Sequence, residues 1–402
     1  LKQIPKIAEK FGVNVVGIAP THKAKQELEK DGYRSTDTIK GMLFKLYNGK
    51  FDLPKGSIIV VDEAGMVGND DYMELQRVAA ARSCNLIKAG DEKQIASVGR
   101  GGMFEVFAEK YSSDVLTDIK RQRYNWGKAV ARAFSNGEVQ TGLRILHGQG
   151  RIVQDKDKVA SMETLLKDWD ADENDLKDKI ILAVANRDVN ALNAGARQYL
   201  KARGALRGEE IKVAGMNYMK GDRILINKTN KDLGLTNGDI AEIREVGKER
   251  FVVVIPNKKS DENAQVINTG MVENQNMQDH VKEIAFNPQE YSGFRHGYAT
   301  TVFKSQAASI MSVFVYHDGF AGIRNSYVAL SRNIKDLKLY INAQATRSMQ
   351  HLIKQLGADP DTASSLSYLT KEDLFKRDLE QNKQDEKNTL EEKSFFASIA
   401  DR

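Results

Sequence analysis

The chain contains the stretch Ser57-Ile-Ile-Val-Val-Asp-Glu-Ala-Gly65, in which a run of apolar residues ends in two carboxylates. A second apolar stretch, Leu86-Ile-Lys-Ala89, is followed by Gly90-Asp-Glu-Lys-Gln94. Short apolar runs of this kind predict buried strands of a parallel sheet, and α/β sheets bind ligands at the carboxyl ends of such strands. We therefore expect the two polar segments to lie at one edge of a sheet.

The residue types in these segments suit a site that hydrolyses a nucleotide. Asp62 can hold Mg²⁺ through its bound waters, and Glu63 can orient or deprotonate an attacking water. The side-chain amide of Gln94 can both donate to and accept from a phosphate or a water. An isolated Asp-Glu pair is more often a solvated strand end, since exposed carboxylates are common. The second motif favours the functional interpretation.

Length and composition indicate a protein of several units: 402 residues, 41% of them apolar, suffice for about two to four compact cores. No apolar run approaches the length of a bilayer span, so we expect neither a membrane span nor a secretory leader. The single cysteine, Cys84, excludes an internal disulfide and fits a cytoplasmic location. The histidines lack ligand spacing, which leaves Mg²⁺ bound with nucleotide as the expected ion. A net charge of +5 permits a polyanionic partner without requiring one.

The hydrophobic pattern of residues 1–117 predicts a parallel, doubly wound sheet in which strands alternate with helices. The expected helices are 4–11, 21–30 and 70–82, and the expected strands are 13–19, 57–61 and 86–89. A second α/β unit is expected at 118–214 and 288–348, with helices at 127–134, 139–147 and 188–202 and a strand at 180–184.

The second unit is interrupted at residues 215–287 by short alternating strands, for example 222–226, 240–243 and 251–255, which suggest a small antiparallel β barrel. Residues 349–402 are expected to form a charged tail. Its composition of lysine, glutamate, aspartate and glutamine predicts a helical or disordered segment without a core of its own.

Four further clusters carry polar groups that a ligand can use. Ala19-Pro-Thr-His-Lys-Ala24 follows a strand and can grip a phosphodiester backbone, although Pro-Thr also simply caps the next helix. Lys120-Arg-Gln-Arg123 can send a guanidinium to a γ-phosphate, and a surface basic cluster is an equal alternative. Tyr298-Ala-Thr-Thr-Val-Phe-Lys-Ser-Gln306 is dense in hydroxyl and amide groups, and Tyr327-Val-Ala-Leu-Ser-Arg332 ends in an arginine. Each of these four clusters is common in proteins by itself. Their order along the chain is what points to a function.

In this order the motifs resemble those of superfamily 1 helicases of the RecD-like branch, from residue 1 to about residue 345. Within that branch the chain looks most like the helicase portion of Ti-type TraA conjugative relaxases. Three stretches carry this likeness: Val60-Val-Asp-Glu-Ala-Gly-Met-Val67, Gln94-Ile-Ala-Ser-Val-Gly-Arg-Gly-Gly-Met-Phe104 and Arg121-Gln-Arg-Tyr-Asn-Trp126. Such enzymes nick plasmid DNA with an amino-terminal domain, which this sequence does not contain, and unwind it with a motor behind that domain.

The resemblance implies a role for each matching residue. In the nucleotide site Asp62 would hold Mg²⁺, Glu63 would act as catalytic base and Gln94 would sense the γ-phosphate of ATP. Arg121 and Arg332 would contribute from the second unit as arginine fingers. The residues that would contact single-stranded DNA, or couple it to the nucleotide, are Thr21, Lys23, Thr301, Lys304 and Ser305.

The resemblance also implies the architecture and the activity. The fold would be α/β, with two RecA-like parallel-sheet domains and an inserted SH3-like β barrel. ATP and Mg²⁺ would support 5′ to 3′ translocation on single-stranded DNA and unwinding at duplex junctions. Conjugation or type IV secretion proteins would be further partners.

Two departures from the family bear on activity. No Gly-Lys pair in the sequence is followed by Ser or Thr, so the phosphate-cradling Gly-x-x-x-x-Gly-Lys-Ser/Thr loop is absent and we expect feeble ATP binding by this chain alone. The family also has glycine where this chain has Ala307, a change that costs about 1 kcal/mol or more if φ must be positive there. A catalytically inactive DNA-binding or secretion-recognition remnant with a helicase fold therefore stays open as an alternative, and RNA unwinding as a weaker one.

Overall fold

The computed structural model describes residues 1–95, 103–111, 113–255, 282–306, 308–319 and 321–358. Within these ranges the chain contains two parallel sheets, a five-stranded antiparallel sheet and a two-stranded hairpin. No helix in the described residues is both long and apolar enough to cross a membrane.

The first unit is a parallel sheet flanked by helices. Its strands are β1 (Val15–Ala19), β2 (Ser35–Thr38), β3 (Ile58–Val61) and β4 (Asn85–Lys88), in the sheet order β2-β1-β3-β4. Its described helices are α1 (Gln3–Lys10), α2 (His22–Lys30), α3 (Ile39–Tyr47), α4 (Asn69–Ala81) and α5 (Met103–Lys110).

The central strands β1 and β3 are almost wholly buried, as expected for a parallel sheet with helices on its faces. Val16 and Ile59 pack with Leu75 of α4 in the main core of this unit. The predicted elements are confirmed to within two residues at each end. Pro5 lies in the first turn of α1, where a backbone N–H would have no intrahelical partner. The edge strand β2 and the helix α3 were not predicted from the sequence.

The second unit begins with two helices and continues with alternating strands and helices. Its elements before the inserted strands are α6 (Asn125–Ser135), α7 (Val139–Gly148), β5 (Ile152–Asp155), α8 (Lys158–Ala171), β6 (Lys179–Ala183) and α9 (Asn186–Ala202). The predictions of α6, α7, β6 and α9 are confirmed, whereas β5 and α8 were not predicted from the sequence.

An antiparallel domain, called here the inserted domain, follows α9. Its strands are β7 (Arg207–Val213), β8 (Met216–Lys220), β9 (Arg223–Ile226), β10 (Ile240–Glu245), β11 (Phe251–Ile255), β12 (Lys282–Phe286) and β13 (Phe294–His296). The sheet order is β12-β11-β10-β9-β13, and β7 and β8 form the hairpin.

The inserted domain extends beyond the range 215–287 expected from the sequence. Ile211 of β7 and Phe294 of β13 share one core with Phe251. The domain therefore runs from β7 to β13. The sequence pattern missed both ends because β7 is largely polar and β13 has only three residues.

The chain then returns to the second unit with β14 (Ala299–Thr301), β15 (Ile310–His317), α10 (Ile323–Ala329), β16 (Asn333–Asn342) and α11 (Met349–Gly357). The parallel sheet of this unit has the order β14-β6-β15-β16-β5. Successive residues of β15 face opposite layers: Val313 packs in the core that includes α6 and α7, while Phe314 packs in the core that includes α8 and α9. Helices therefore cover both faces of the sheet.

Helix α11 occupies the start of the segment expected to be a charged tail. Leu352 and Leu356 are buried in the core of the second unit. The first residues of that segment thus belong to the folded unit. The two leucines are four residues apart, so they lie on the same face of the helix and pack against the core together. Residues 359–402, on which the rest of the tail prediction falls, lie outside the described residues, as does Ala307.

A buried polar network joins the inserted domain to the second unit. Asp222, which is fully buried, accepts from the Nε of Arg197 on α9 with both carboxylate oxygens at 3.1 Å. The hydroxyl of Tyr298 donates to the same carboxylate at 2.7 Å. A buried ion pair is tolerated when further hydrogen bonds satisfy it, as here. Tyr298, the first residue of the hydroxyl-rich motif, therefore serves this junction.

Candidate active site

The two acidic motifs lie side by side at the carboxyl edge of the first sheet, as expected. Asp62 follows β3 directly, and its backbone N–H donates to the carbonyl of Ile18 on β1 at 2.9 Å. The N–H of Ala64 donates to the carbonyl of Ala89, at the end of β4, at 2.8 Å. The segments after β3 and β4 are therefore joined backbone to backbone, with little room between them.

Glu63 has an unusual backbone conformation for a residue with a side chain. Its φ of 50° places it in the left-handed region, which non-glycine residues occupy rarely and which is found at functional sites. Burial, and secondarily the charge of Asp62, raises the pKa of the Glu63 carboxyl, while Arg332 and Arg121 oppose that rise. Burial also raises the pKa of Asp62. The structure therefore brings Glu63 of the first unit within electrostatic reach of two arginines of the second.

Both arginines are anchored to the chain at the end of α10. Arg121 donates from Nη1 to the carbonyl of Ser331 at 3.0 Å and from Nε to the hydroxyl of Ser309 at 2.9 Å. Arg332 is 1% exposed and donates from Nε to the carbonyl of Val328 at 3.1 Å. Gln122, next to Arg121 and also buried, donates to the same Ser331 carbonyl at 2.8 Å. These bonds fix the direction of both guanidinium groups.

One nitrogen of Arg332 is left over for a ligand. Its Nη1 is buried and has no hydrogen-bond partner among the described residues. Burial and the nearby charge of Arg121 lower the pKa of Arg332. A buried cation with a free donor is costly unless an anion completes its surroundings. An anionic group placed between Glu63 and Arg332 would do so.

Gln94 is held by a network that crosses between the two units. Its Nε2 donates to Asp91 at 3.2 Å, and Tyr327 of α10 donates to the same carboxylate oxygen at 2.8 Å. The Oε1 of Gln94 is buried and unpartnered in the described structure. One turn away on α10, Arg324 donates to Glu105 of α5 at 2.5 Å. Helix α10 thus contacts the first unit at two points and places Arg332 just beyond its end.

The donor set fits a nucleotide with Mg²⁺. Two of the unpartnered buried atoms, Arg332 Nη1 and Gln94 Oε1, are groups that phosphate oxygens and an ordered water can satisfy. No cluster of three or more His, Cys, Asp or Glu side chains suited to a metal occurs in the described residues. Asp62 is the carboxylate that would hold an ion whose other ligands are waters and phosphates.

The residues predicted to contact DNA fall into two groups. Thr21 caps α2 by accepting from the N–H of Ala24 at 3.2 Å, and Lys23 lies in the first turn of that helix. Lys304 is exposed, and its Nζ donates to the side chain of Asn227, just after β9 of the inserted domain, at 3.0 Å. The structure thus brings Lys304 to the inserted domain.

Thr301 and Ser305, by contrast, are buried and use their hydroxyls locally. Thr301 accepts from the N–H of Lys304 at 3.4 Å, and Ser305 donates to the carbonyl of Val302 at 2.7 Å. These bonds shape the short 3₁₀ turn Phe303–Ser305 that presents Lys304. Contact of either hydroxyl with DNA stays a prediction.

Several site residues were not singled out from the sequence. Tyr327 and Asp91 were quoted within motifs, but their bond across the units could not be foreseen because 236 positions separate them. Arg324 lies just before the motif Tyr327-Val-Ala-Leu-Ser-Arg332, and nothing in the sequence marked it as a site residue. Only the fold shows which polar residues meet.

Comparison with known proteins agrees with this geometry. Residues 1–157 match a family model described as an AAA domain. The chain is 28% identical over 363 residues to the conjugal transfer protein TraA of Agrobacterium fabrum, and 29% identical over 363 residues to the probable conjugal transfer protein TraA of Sinorhizobium fredii. Each alignment covers 90% of this chain and 31% of the relative, so the chain spans about a third of the length of these relatives.

Among solved structures, Bacteroides Pif1 bound to ssDNA aligns with a TM-score of 0.50 and 14% identity, covering 87% of this chain and 88% of that one. The chain has a helicase-like fold. It is related in sequence to TraA conjugal transfer proteins and resembles Pif1 helicase in the arrangement of its parallel and antiparallel sheets.

Proposed function

We propose that this chain is the helicase portion of a conjugative-transfer relaxase, which hydrolyses ATP to move 5′ to 3′ along single-stranded DNA and to unwind duplex junctions. One observation carries the proposal: Glu63 of the first unit, next to Asp62, lies within electrostatic reach of Arg121 and Arg332 of the second. Carboxylates on one unit and arginines on the other are what a nucleotide bound between two units requires. The similarity to TraA proteins supports the conjugation context.

In this proposal each side chain of the site has one task. Asp62 holds Mg²⁺, which when bound neutralises charge on the phosphate oxygens. Glu63 accepts a proton from the attacking water, and its raised pKa makes it a stronger base than an exposed carboxylate. Arg332 donates from its free Nη1 to the γ-phosphate, and Gln94 orients the water or phosphate. Arg121 adds positive charge beside Arg332.

The proposal also gives each domain a task. The two parallel-sheet units are RecA-like domains whose relative movement is coupled to hydrolysis, and the inserted domain is an SH3-like accessory domain. Thr21 and Lys23 of the first unit and Lys304 of the second hold the backbone of a single strand, while Thr301 and Ser305 support the turn that carries Lys304. The reducing cytoplasm is the proposed location, and proteins of conjugation or type IV secretion are the proposed partners.

The experiment measures DNA-stimulated ATP hydrolysis by the chain after a Gly-x-x-x-x-Gly-Lys-Thr loop has been joined before Leu1. Substituting Glu63→Gln should lower the turnover number by about 100-fold or more, the usual contribution of a catalytic base. The matched control is Glu74→Gln on α4 of the same unit, whose carboxylate bonds Tyr47 and Arg77 at the surface. The control should leave turnover unchanged.

Undiminished turnover in the Glu63→Gln variant would refute the assigned base. Binding of single-stranded DNA without any hydrolysis, even when the loop is present, would instead support a catalytically inactive DNA-binding module. DNA binding is measured without nucleotide, so a loss of hydrolysis can be told apart from a loss of DNA binding.

A further inference from the structure

Helix α10 begins without a side chain that could cap it. The residue before the helix is Gly322, which has a φ of 75° and no side chain to accept from the first N–H groups. Those first N–H groups have no partner within a helix. Here the N–H of Gly322 donates to the carbonyl of Gln355 at 3.0 Å, and the N–H of Ile323 donates to the carbonyl of Ala358 at 2.8 Å. The start of α10 is therefore bonded to the end of α11.

The same bonds also serve the end of α11, since the last carbonyls of a helix have no partner within it. Gln355 and Leu356 belong to the last turn of α11, and Ala358 follows the helix directly. The buried hydroxyl of Ser326 on α10 lies 3.0 Å from the carbonyl of Leu356 and 2.7 Å from that of Gly322, so it bridges the two helix ends. The position of α11 therefore sets the position of the start of α10.

One side chain fixes α11 to the rest of the second unit. The Nε2 of Gln355 donates to the carbonyl of Ala345 at 2.9 Å, and its Oε1 accepts from the hydroxyl of Thr346 at 2.7 Å. The same Oε1 lies 2.9 Å from the Nε2 of His317, the last residue of β15. Thr346 and His317 are both buried. Gln355 therefore pins α11 to the loop after β16 and to the end of β15.

Helix α11 buries little apolar surface of its own. It has nine residues, of which Leu352 and Leu356 are buried. A short element with few buried apolar contacts opens at a low cost in free energy. The hydrogen bonds of Gln355 are therefore important for keeping α11 docked.

The position of α10 matters because groups of the candidate site depend on it. Tyr327 on α10 donates to Asp91 of the first unit at 2.8 Å. Arg332 lies just beyond the end of the helix, and its Nε donates back to the carbonyl of Val328 at 3.1 Å. A helix of seven residues is about 10 Å long, and its backbone hydrogen bonds let it move as one body. A shift at the start of α10 is therefore transmitted to Arg332 at its end.

We propose that Gln355 is a positioning residue of the candidate site: its hydrogen bonds dock α11, α11 holds the start of α10, and α10 places the guanidinium of Arg332. This inference rests on the proposed function, because Arg332 is assigned there to the γ-phosphate. Loss of the Gln355 bonds would let the start of α10 move and Arg332 withdraw. Gln355 acts on the site through α10 and not by touching the nucleotide.

The first test measures amide hydrogen exchange at Gly322 and Ile323, whose N–H groups are bonded to α11. Gln355→Met keeps an unbranched side chain of similar length and removes the hydrogen bonds of the amide. It should speed exchange at both positions by about tenfold, the effect of losing about one hydrogen bond. The matched control is Gln350→Met at an exposed position of the same helix, which should exchange like the parent. Parent-like exchange in Gln355→Met would show that Gln355 does not dock α11, which would overturn the proposal.

The second test measures the pKa of Glu63 by carboxyl ¹³C NMR of chain labelled at glutamate. The charges of Arg332 and Arg121 lower this pKa, so withdrawal of Arg332 should raise it. Gln355→Met should raise it by about 0.5, the change expected when two charges move from about 6 to about 8 Å apart at an effective dielectric constant of about 20. Ser326→Ala, which loosens the same pair of helices without touching Gln355, should change it in the same direction. The control variant on α11 should leave it unchanged.

A chain without the two site arginines separates positioning from a general loss of structure. In the Arg121→Gln/Arg332→Gln background no site arginine remains to be displaced, so Gln355→Met should leave the pKa of Glu63 unchanged. A rise that persists in this background would overturn the positioning role. A parent-like pKa in a Gln355→Met variant whose amides exchange faster would overturn it as well. If Gln355→Met does not fold, the same comparisons are made with Ser326→Ala. These results leave the proposed function intact, because the turnover of Glu63→Gln tests that function separately.

Discussion

At the scale of single residues, the acidic edge of the first unit depends on close backbone contact. A Cβ atom at Gly90 would lie 2.9 Å from the backbone nitrogen of Ala64 and 3.0 Å from that of Gly65. Backbone atoms cannot rotate away as a side chain can, so the glycine is required by space. The adjacent Glu63 has a positive φ, and the hydrogen bond from Ala64 to Ala89 helps to hold it there.

Gly90→Ala should therefore destabilise the first unit by about 1–3 kcal/mol, the usual cost of forcing an atom into a packed region. Unfolding in urea, followed by circular dichroism, measures this. The control is Gly148→Ala at the end of α7, where no atom lies within 4 Å of the added methyl group. Equal stability of the two variants would show that the segments after β3 and β4 are not in contact.

At the scale of elements, α10 is the helix that links the arginines of the candidate site to the first unit. Tyr327 bonds Asp91, Arg324 bonds Glu105, and the chain just past the helix anchors both site arginines. A shift of α10 would therefore move Arg332 and loosen Gln94 together. Under the proposed function, α10 would transmit the state of the bound nucleotide to both units.

Removing the Tyr327 hydroxyl tests this link. Asp91 also accepts from the N–H of Lys93 at 3.0 Å, so its orientation controls the amides of the following residues. Tyr327→Phe should accelerate hydrogen exchange at Lys93 and Gln94 by about tenfold, which corresponds to the loss of one hydrogen bond to a charged group. Tyr47→Phe is the control, since that hydroxyl bonds Glu74 at the surface. Unchanged exchange in Tyr327→Phe would mean that α10 does not hold the loop.

The sequence predicted those elements whose apolar pattern is strong and missed those whose pattern is weak. Val15–Ala19 and Ile58–Val61 are central strands, and their apolar runs made them evident. The edge strand Ser35–Thr38 consists of polar residues and is recognisable only by its pairing with β1. The strand Phe294–His296 is too short for any pattern, so its membership of the inserted sheet appears only in the fold.

At the scale of the whole molecule, the site exists only because distant segments meet. Arg121 donates to the carbonyl of Ser331, which lies 210 positions further along the chain. The order of motifs was enough to nominate Asp62, Glu63, Gln94, Arg121 and Arg332. It could not show that Arg332 keeps one free donor, or that α11 caps α10, because both depend on which carbonyls the fold brings near. The residue types and their order were therefore enough to predict which side chains form the candidate site. They were not enough to predict which hydrogen-bond partners those side chains have.

The central claim is that Glu63 and Arg332, on different units, act on one another across the site. Carboxyl ¹³C NMR of chain labelled at glutamate measures the pKa of Glu63 directly, with Glu63→Gln identifying its signal. Because the charge of Arg332 lowers this pKa, Arg332→Gln should raise it, while Arg77→Gln, which removes an exposed arginine of the first unit, should leave it unchanged. A Glu63 pKa that is the same in the parent and in Arg332→Gln would contradict the account.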